Sequence, residues 1–158
     1  MSGSHARYAA FWLLVGCIGY LAFNALVSPK VAVATRGSGT VVIERSHDQH
    51  FYVEGAINGH PVTFMVDTGA TVVSVNEELA RKMRLGPGVP AIFDTAAGRV
   101  EGRIVPDATV QIGDIRVEGI RVGINSGGPA ALLGQNFLNK IDLRQSPERM
   151  TVRVPGSP

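Results

Sequence analysis

The order of apolar and polar residues divides this chain in two. From Ala9 to Val27 there are 19 residues without a charge, mostly apolar, with no face reserved for water. Beyond Thr40 the apolar runs are short and are separated by Gly, Pro, Asn or Asp. The first pattern predicts one long helix with apolar surroundings on all sides. The second predicts many short strands joined by tight turns. A 19-residue helix reaches about 28 Å at 1.5 Å per residue, the thickness of a bilayer's hydrocarbon core. Trp12 near one end, with Arg7 and Lys30 as flanks, suits anchoring at the membrane interfaces. A cleaved signal peptide is the rival reading, because Ala32-Val33-Ala34 has the small-x-small form of a cleavage site. The apolar run exceeds the usual length for that role, which favours a retained single-pass anchor. The basic flanks nearly balance; a short N-terminal tail kept inside would place the rest on the periplasmic, extracytoplasmic side.

In the second part, Thr40-Val41-Val42-Ile43 opens as a strand. Phe51, Val53 and Ile57 share one parity, which continues beyond Asn58-Gly59 as Val62, Phe64 and Val66. Asn-Gly between alternating apolar runs signals a two-residue hairpin, because both turn residues need positive φ. The second strand of that hairpin leads directly into Asp67, and Val72 to Val75 predicts another short strand. Asn76 to Leu85 predicts the clear helix of this part: Asn76 is a good N-cap, Glu77 and Glu78 face the positive end of the dipole, and Gly86-Pro87 follow as stops. Ala91–Thr95 and Val100–Val105 flank Ala96-Ala97-Gly98-Arg99 as a second hairpin with a small-residue tip. A third turn falls at Gly113-Asp114, and the parity change across Glu118-Gly119 predicts a bulge. Gly127-Gly128-Pro129 reads as a loop, Leu132-Leu133-Gly134 follows it, and Thr151–Val154 predicts a last strand. The expected organisation is a tail over residues 1–8, a membrane helix over 9–27, a linker over 28–39 and an all-β domain over 40–158.

Composition narrows the function. The net charge of +2 is uneven: Arg7, Lys30 and Arg36 stand in a segment without acids, leaving 12 Lys and Arg against all 13 Asp and Glu from Thr40 onward. That balance gives nucleic-acid binding no electrostatic support. The single cysteine, Cys17, lies within the apolar run, so neither a disulfide framework nor a Cys-based zinc site is available. His47 and His50 lack a clear third ligand and read as part of a solvated loop. No cofactor and no metal is expected.

The most informative residues are Asp67-Thr68-Gly69-Ala70, at the end of the apolar run Val62–Val66. They place a carboxylate on a strand end, a hydroxyl beside it, and a glycine that lets the backbone turn or another group approach. The tripeptide Asp-Thr-Gly occurs by chance in roughly a few per cent of chains this long. Its context carries the case. A turn Asp that only caps its own loop is the plain alternative.

With the Gly-tipped hairpin near Gly98 and the run Leu132-Leu133-Gly134-Gln135-Asn136-Phe137-Leu138, the chain resembles the retroviral-type (retropepsin-like) aspartic proteases, over about residues 40–145. The N-terminal anchor makes it similar to the membrane-attached bacterial branch of that family. The resemblance implies a closed-barrel-like, single-lobe β fold with one or two short helices. It also implies an aspartic endopeptidase. In such enzymes two neighbouring carboxylates share one proton, so that one activates water while the other protonates the substrate carbonyl. The chain contains one Asp-Thr-Gly, since Asp94-Thr95-Ala96 lacks the glycine, so Asp67 must meet Asp67 of a second copy in a homodimer.

The resemblance further implies that Thr68 braces the two loops across the axis and that Gly69 leaves room for a polypeptide substrate. Ala70, where many relatives of pepsin carry Ser, offers no hydroxyl to the carboxylate. Ala97, Gly98 and Arg99 are the candidate flap, and Leu132, Leu133 and Gly134 are expected to pack beneath the catalytic loop. Retroviral enzymes pair an acid soon after this motif with an Arg after the later Gly; here those positions read Thr71 and Gln135, so one brace is expected to be missing. The alternative is a non-catalytic membrane-anchored module using this fold for peptide binding or self-association, which has no use for a paired carboxylate. A structural envelope protein, whose anchor is the point and whose domain merely packs, would explain the charge distribution but not the motif.

Overall fold

The computed structural model of the chain describes residues 3–32, 39–95, 98–126 and 131–155. Helix α1 spans Gly3–Val27, and its side chains from Tyr8 onward are exposed to their surroundings. Tyr8–Val27 is long and apolar enough to cross a membrane. The strands follow as β1 (Val31–Ala32), β2 (Thr40–Glu44), β3 (Tyr52–Ile57), β4 (His60–Val66), β5 (Val73–Asn76), β6 (Val89–Thr95), β7 (Gly98–Ile112), β8 (Ile115–Asn125), β9 (Ala131–Leu133), β10 (Asp142–Gln145) and β11 (Arg149–Arg153), with short helices α2 (Glu77–Lys82) and α3 (Gln135–Leu138).

Eight strands form one sheet in the order β1-β3-β4-β9-β5-β8-β7-β6, and a further pairing of β3 with β7 closes it on itself. The closed ring is therefore β3-β4-β9-β5-β8-β7, with β1 and β6 as additions outside it. The closed β barrel and its two short helices agree with the fold class expected from sequence. Closure brings Phe64, Val53, Ile57, Ile112, Ile120, Val122, Ile124 and Leu133 into a fully buried interior. The alternation that predicted the first hairpin is the alternation of burial: Phe51, Val53, Ile57, Phe64 and Val66 all face the core. Asn58 and Gly59 take φ of 50° and 80°, the two positive values a primed turn requires.

Beside the barrel lies a three-stranded antiparallel sheet, β10-β11-β2, whose inner face adds Val41, Ile43, Met150 and Val152 to the core. The sequence reading placed β2 and β11 but missed β10, where Leu143 alone points inward and polar residues surround it. Within the stretch expected to be a linker, Val31 and Ala32 pair in parallel with Tyr52 and Val53.

Three local readings are corrected. Helix α2 begins as expected, with Asn76 Oδ1 accepting from the Leu79 N–H at 2.9 Å. It ends at Lys82 rather than Leu85, because Arg84 adopts a φ of 51° and the Leu85 N–H turns back to the Ala80 carbonyl. The chain therefore reverses at a non-glycine residue before Gly86-Pro87 is reached. The second hairpin turns more tightly than expected, since Gly98 and Arg99 already pair with Thr95 and Asp94. Finally, the β7–β8 ladder shifts register twice. One shift lies at Gly119 (φ 70°), as the parity change predicted; the other lies at Asp107 (φ 54°) on β7, which periodicity did not reveal.

Candidate active site

Asp67 is the first residue beyond β4, and its position follows from where β9 sits. Strand β9 lies between β4 and β5, parallel to the first and antiparallel to the second. Residues 67–72, which join β4 to β5, must therefore cross the end of β9. The Asp67 N–H donates to the Leu133 carbonyl at 3.2 Å, which seats the loop on β9. After Leu133 the chain passes under the loop at Gly134. A Cβ there would lie 2.3 Å from the Val72 carbonyl oxygen and 2.9 Å from that of Ala70, so only glycine fits. Beyond it, the Gln135 N–H donates to the Ala70 carbonyl at 2.8 Å and the Asn136 N–H to the Thr71 carbonyl at 3.1 Å. Residues 67 positions apart in sequence thus form one unit, with the Leu133 carbonyl and Gly134 set against the loop.

Two amide side chains complete it. Asn136 Oδ1 accepts from the Val73 N–H at 2.8 Å, while its Nδ2 donates to the Arg121 carbonyl at 2.7 Å, tying the loop to β8. Gln135 Nε2 donates to the Thr68 carbonyl at 2.8 Å. This bond starts from Gln135, one of the two positions, with Thr71, expected to lack a charged brace. The charged pair is absent, but a neutral hydrogen bond from the same position holds the loop. Neither side chain's role was read from sequence; two amides directly after Gly134 were the signal available.

The Asp67 carboxylate is half-buried. Its Oδ1 accepts from the Gly69 N–H at 2.8 Å, and the Ala70 N–H closes the turn on the Asp67 carbonyl at 3.2 Å. Among the described residues no other group hydrogen-bonds the Asp67 side chain, and none bonds the Thr68 hydroxyl, which is exposed. Among the described residues, the loop thus holds a carboxylate with one backbone donor next to a residue whose hydroxyl has no partner.

Of the candidate flap, Ala97 lies outside the described residues. Gly98 has a φ of 110° with open space around it, and Arg99 forms a solvent-exposed ion pair with Asp94 at 3.0 Å. The stem of this hairpin meets the site through Phe93, whose ring occupies the space left by Gly102 and Gly123. A Cβ on Gly123 would lie 2.8 Å from the Phe93 ring and 3.3 Å from Val72 Cγ2, so Gly123 borders both the ring and the far end of the Asp67 loop. The sequence reading missed this aromatic contact, because nothing local marks a glycine as the floor beneath a ring. Farther along the stem, Arg103 donates from Nη1 and Nη2 to the two carboxylate oxygens of Glu77 at the start of α2. That guanidinium holds the Glu77 carboxyl below its ordinary range.

A closed six-stranded barrel carrying an Asp-Thr-Gly loop over a Leu-Leu-Gly strand end defines a retropepsin-like aspartic protease domain. The chain belongs to the gag-polyprotein putative aspartyl protease family, whose model matches residues 53–140, more than half of its length. A retropepsin-like aspartic protease from Rickettsia conorii has the same fold, with a TM-score of 0.60 and 22% identity over 73% of this chain and 91% of that one. Curated relatives include an uncharacterized protein of a Sinorhizobium species from the cobV 5′ region, 27% identical over 128 residues, 76% of this chain. An uncharacterized protein of Rickettsia prowazekii is 42% identical over 45 residues, 28% of this chain. These matches span 54% and 20% of the two relatives' own lengths.

Proposed function

We propose that this chain is a membrane-anchored aspartic endopeptidase whose catalytic pair is Asp67 from each of two copies. One observation carries the reading. The Asp67 carboxylate is held in place by its own loop, yet within the protomer it receives a hydrogen bond from the Gly69 N–H alone among the described residues. A carboxylate that merely caps its turn has no need of a loop fastened at Leu133, Ala70, Thr71 and Thr68 to a distant strand and helix.

Two such carboxylates about 3 Å apart cannot both ionise and share one proton. The ionised member removes a proton from water, which attacks the scissile carbonyl carbon. The protonated member gives its proton to the carbonyl oxygen. The tetrahedral intermediate then collapses as the amide nitrogen takes a proton, breaking the C–N bond. The pair titrates as a unit, which places maximal activity below neutral pH. In this reading the unpartnered Thr68 hydroxyl bonds across the two-fold axis, and Gly69 admits the substrate backbone. Ala97, Gly98 and Arg99 close over an extended polypeptide, and apolar surroundings such as Phe93 and Val72 favour bulky hydrophobic residues at the cleaved bond. Helix α1 crosses the membrane over residues 9–27, residues 40–158 form the exported protease domain, and anchoring raises the local concentration of protomers.

The test is cleavage of an unfolded protein by the full chain in nanodiscs at mildly acid pH, against Asp67→Asn. Equal cleavage by the two rejects the peptidase and favours a peptide-binding module.

A further inference from the structure

Helix α1 ends at Val27, and Ser28 and Pro29 are the only residues before Lys30. Lys30 is already fastened to the β domain: its N–H donates to Ser46 Oγ at 3.1 Å, and Val31–Ala32 continue as β1 on the edge of β3. Three residue steps span at most about 11 Å. The headgroup layer on each side of a bilayer is roughly 5–8 Å deep. With α1 in the bilayer, the surface around Lys30 is held at or beside the phospholipid headgroups and cannot swing away without breaking β1 from β3.

That surface is a cleft of about 660 Å³, lined by Lys30, Glu44, Arg45, His47, Glu148 and Arg149 among others. Three permanent cations face two carboxylates. Arg45 is pre-ordered by neutral partners: Nε donates to the Pro147 carbonyl, Nη1 to the Gln49 carbonyl at 2.8 Å, and the guanidinium lies 4.6 Å over the Phe51 ring. These contacts fix its geometry and leave its charge uncompensated. The Arg149 guanidinium has no hydrogen bond or ion pair among the described residues. Lys30 Nζ stands 3.9 Å from Glu44, with both side chains more than half exposed, so that pair is loose.

We propose that this cleft binds the phosphate of an anionic phospholipid headgroup, and so sets the angle at which the domain stands on the membrane. Guanidinium groups match phosphate oxygens in geometry and charge. Each basic side chain at an anionic surface raises association about fivefold. The proposal rests on the membrane-spanning reading of α1 and is independent of peptidase activity.

The test uses the full chain in nanodiscs of phosphatidylcholine alone or mixed with phosphatidylglycerol, with backbone hydrogen exchange as readout. Extraction of the chain from membranes by alkaline carbonate would overturn the anchor itself and is measured separately. For an anchored chain, exchange in residues 45–49 and 146–149 is expected to slow several-fold when phosphatidylglycerol is present. Lys30→Gln with Arg149→Gln, both exposed and outside the core, should weaken the lipid preference on the order of twentyfold. Equal exchange in the two lipids, or an undiminished difference in the double variant, overturns the proposal. Inorganic phosphate added to phosphatidylcholine discs should give no protection; protection equal to that of phosphatidylglycerol would assign the cleft to free phosphate and overturn the lipid assignment.

Discussion

The side-chain amide of Gln135 donates to the main-chain carbonyl of Thr68 at 2.8 Å, joining the helix after Gly134 to the loop that holds Asp67. Neither partner titrates. A brace of this kind keeps its strength at the acid pH where a shared-proton carboxylate pair works, whereas a carboxylate–arginine brace weakens as its acid protonates. Gln135→Leu is therefore expected to cost about 1 kcal/mol, the usual net worth of such a hydrogen bond, and equally at about pH 4 and pH 7. Urea unfolding at the two pH values measures this. A cost present at one pH and absent at the other would show that a titrating group shares the brace.

Asp67 supplies half of the proposed site, so activity should follow the population of dimers with two intact carboxylates. When wild-type chain is mixed with Asp67→Asn at constant total protein and allowed to exchange, the rate should fall as the square of the wild-type fraction. A linear fall would mean that each protomer acts alone.

Gly134 and Gly98 differ in kind. At Gly134 a methyl group meets the Val72 and Ala70 carbonyl oxygens, and neither backbone can move without opening the loop. Gly134→Ala should cost more than about 3 kcal/mol, or prevent folding. At Gly98 there is open space, and the penalty is the positive φ alone, about 1–2 kcal/mol. Thermal unfolding of both variants should show this order, and the reverse order would contradict the packing described.

Away from the site, the Tyr52 hydroxyl donates to Asp48 Oδ2 at 2.6 Å. The bond pushes the Tyr52 phenol up to about 12 and holds the Asp48 carboxyl below its usual value. The lowered Asp48 pKa contributes stability above the unfolded value of 3.8 that is lost as pH falls below it. The raised Tyr52 pKa contributes stability below the unfolded value of 10.0 that is lost as pH rises towards about 12. The advantage of wild type over Tyr52→Phe should accordingly be flat across neutral pH and shrink at both extremes. Chemical unfolding across the pH range tests it; an advantage independent of pH would count against the Asp48 bond.

Much of the fold was legible in the chain because its signals are local. Asn58-Gly59 carries its turn in two residues, Asn76 carries the start of α2, and the spacing of Phe51, Val53, Phe64 and Val66 carries the inward face. Strand β10 was not legible: Leu143 is its one inward apolar residue, and it is a strand because β11 pairs with it. Strand β1 was hidden for a similar reason, since two residues of a stretch punctuated by Pro and Gly become a strand only where β3 presents a free edge. The end of α2 at Lys82 likewise depended on a reversal at Arg84, a non-glycine residue that carries no local stop signal.

By itself the sequence determined the helix suited to a membrane, the β character of the remainder, the hairpin that delivers Asp67, and the presence of a single Asp-Thr-Gly. Periodicity, turn chemistry and counting are properties of neighbours along the chain. Tertiary structure alone decided that β9 lies between β4 and β5, that Gly134 must pass beneath Ala70 and Val72, and that the Gln135 side chain reaches the Thr68 carbonyl. Those facts depend on which distant segments lie side by side, and strand pairing between residues 67 positions apart leaves no periodic trace in one chain.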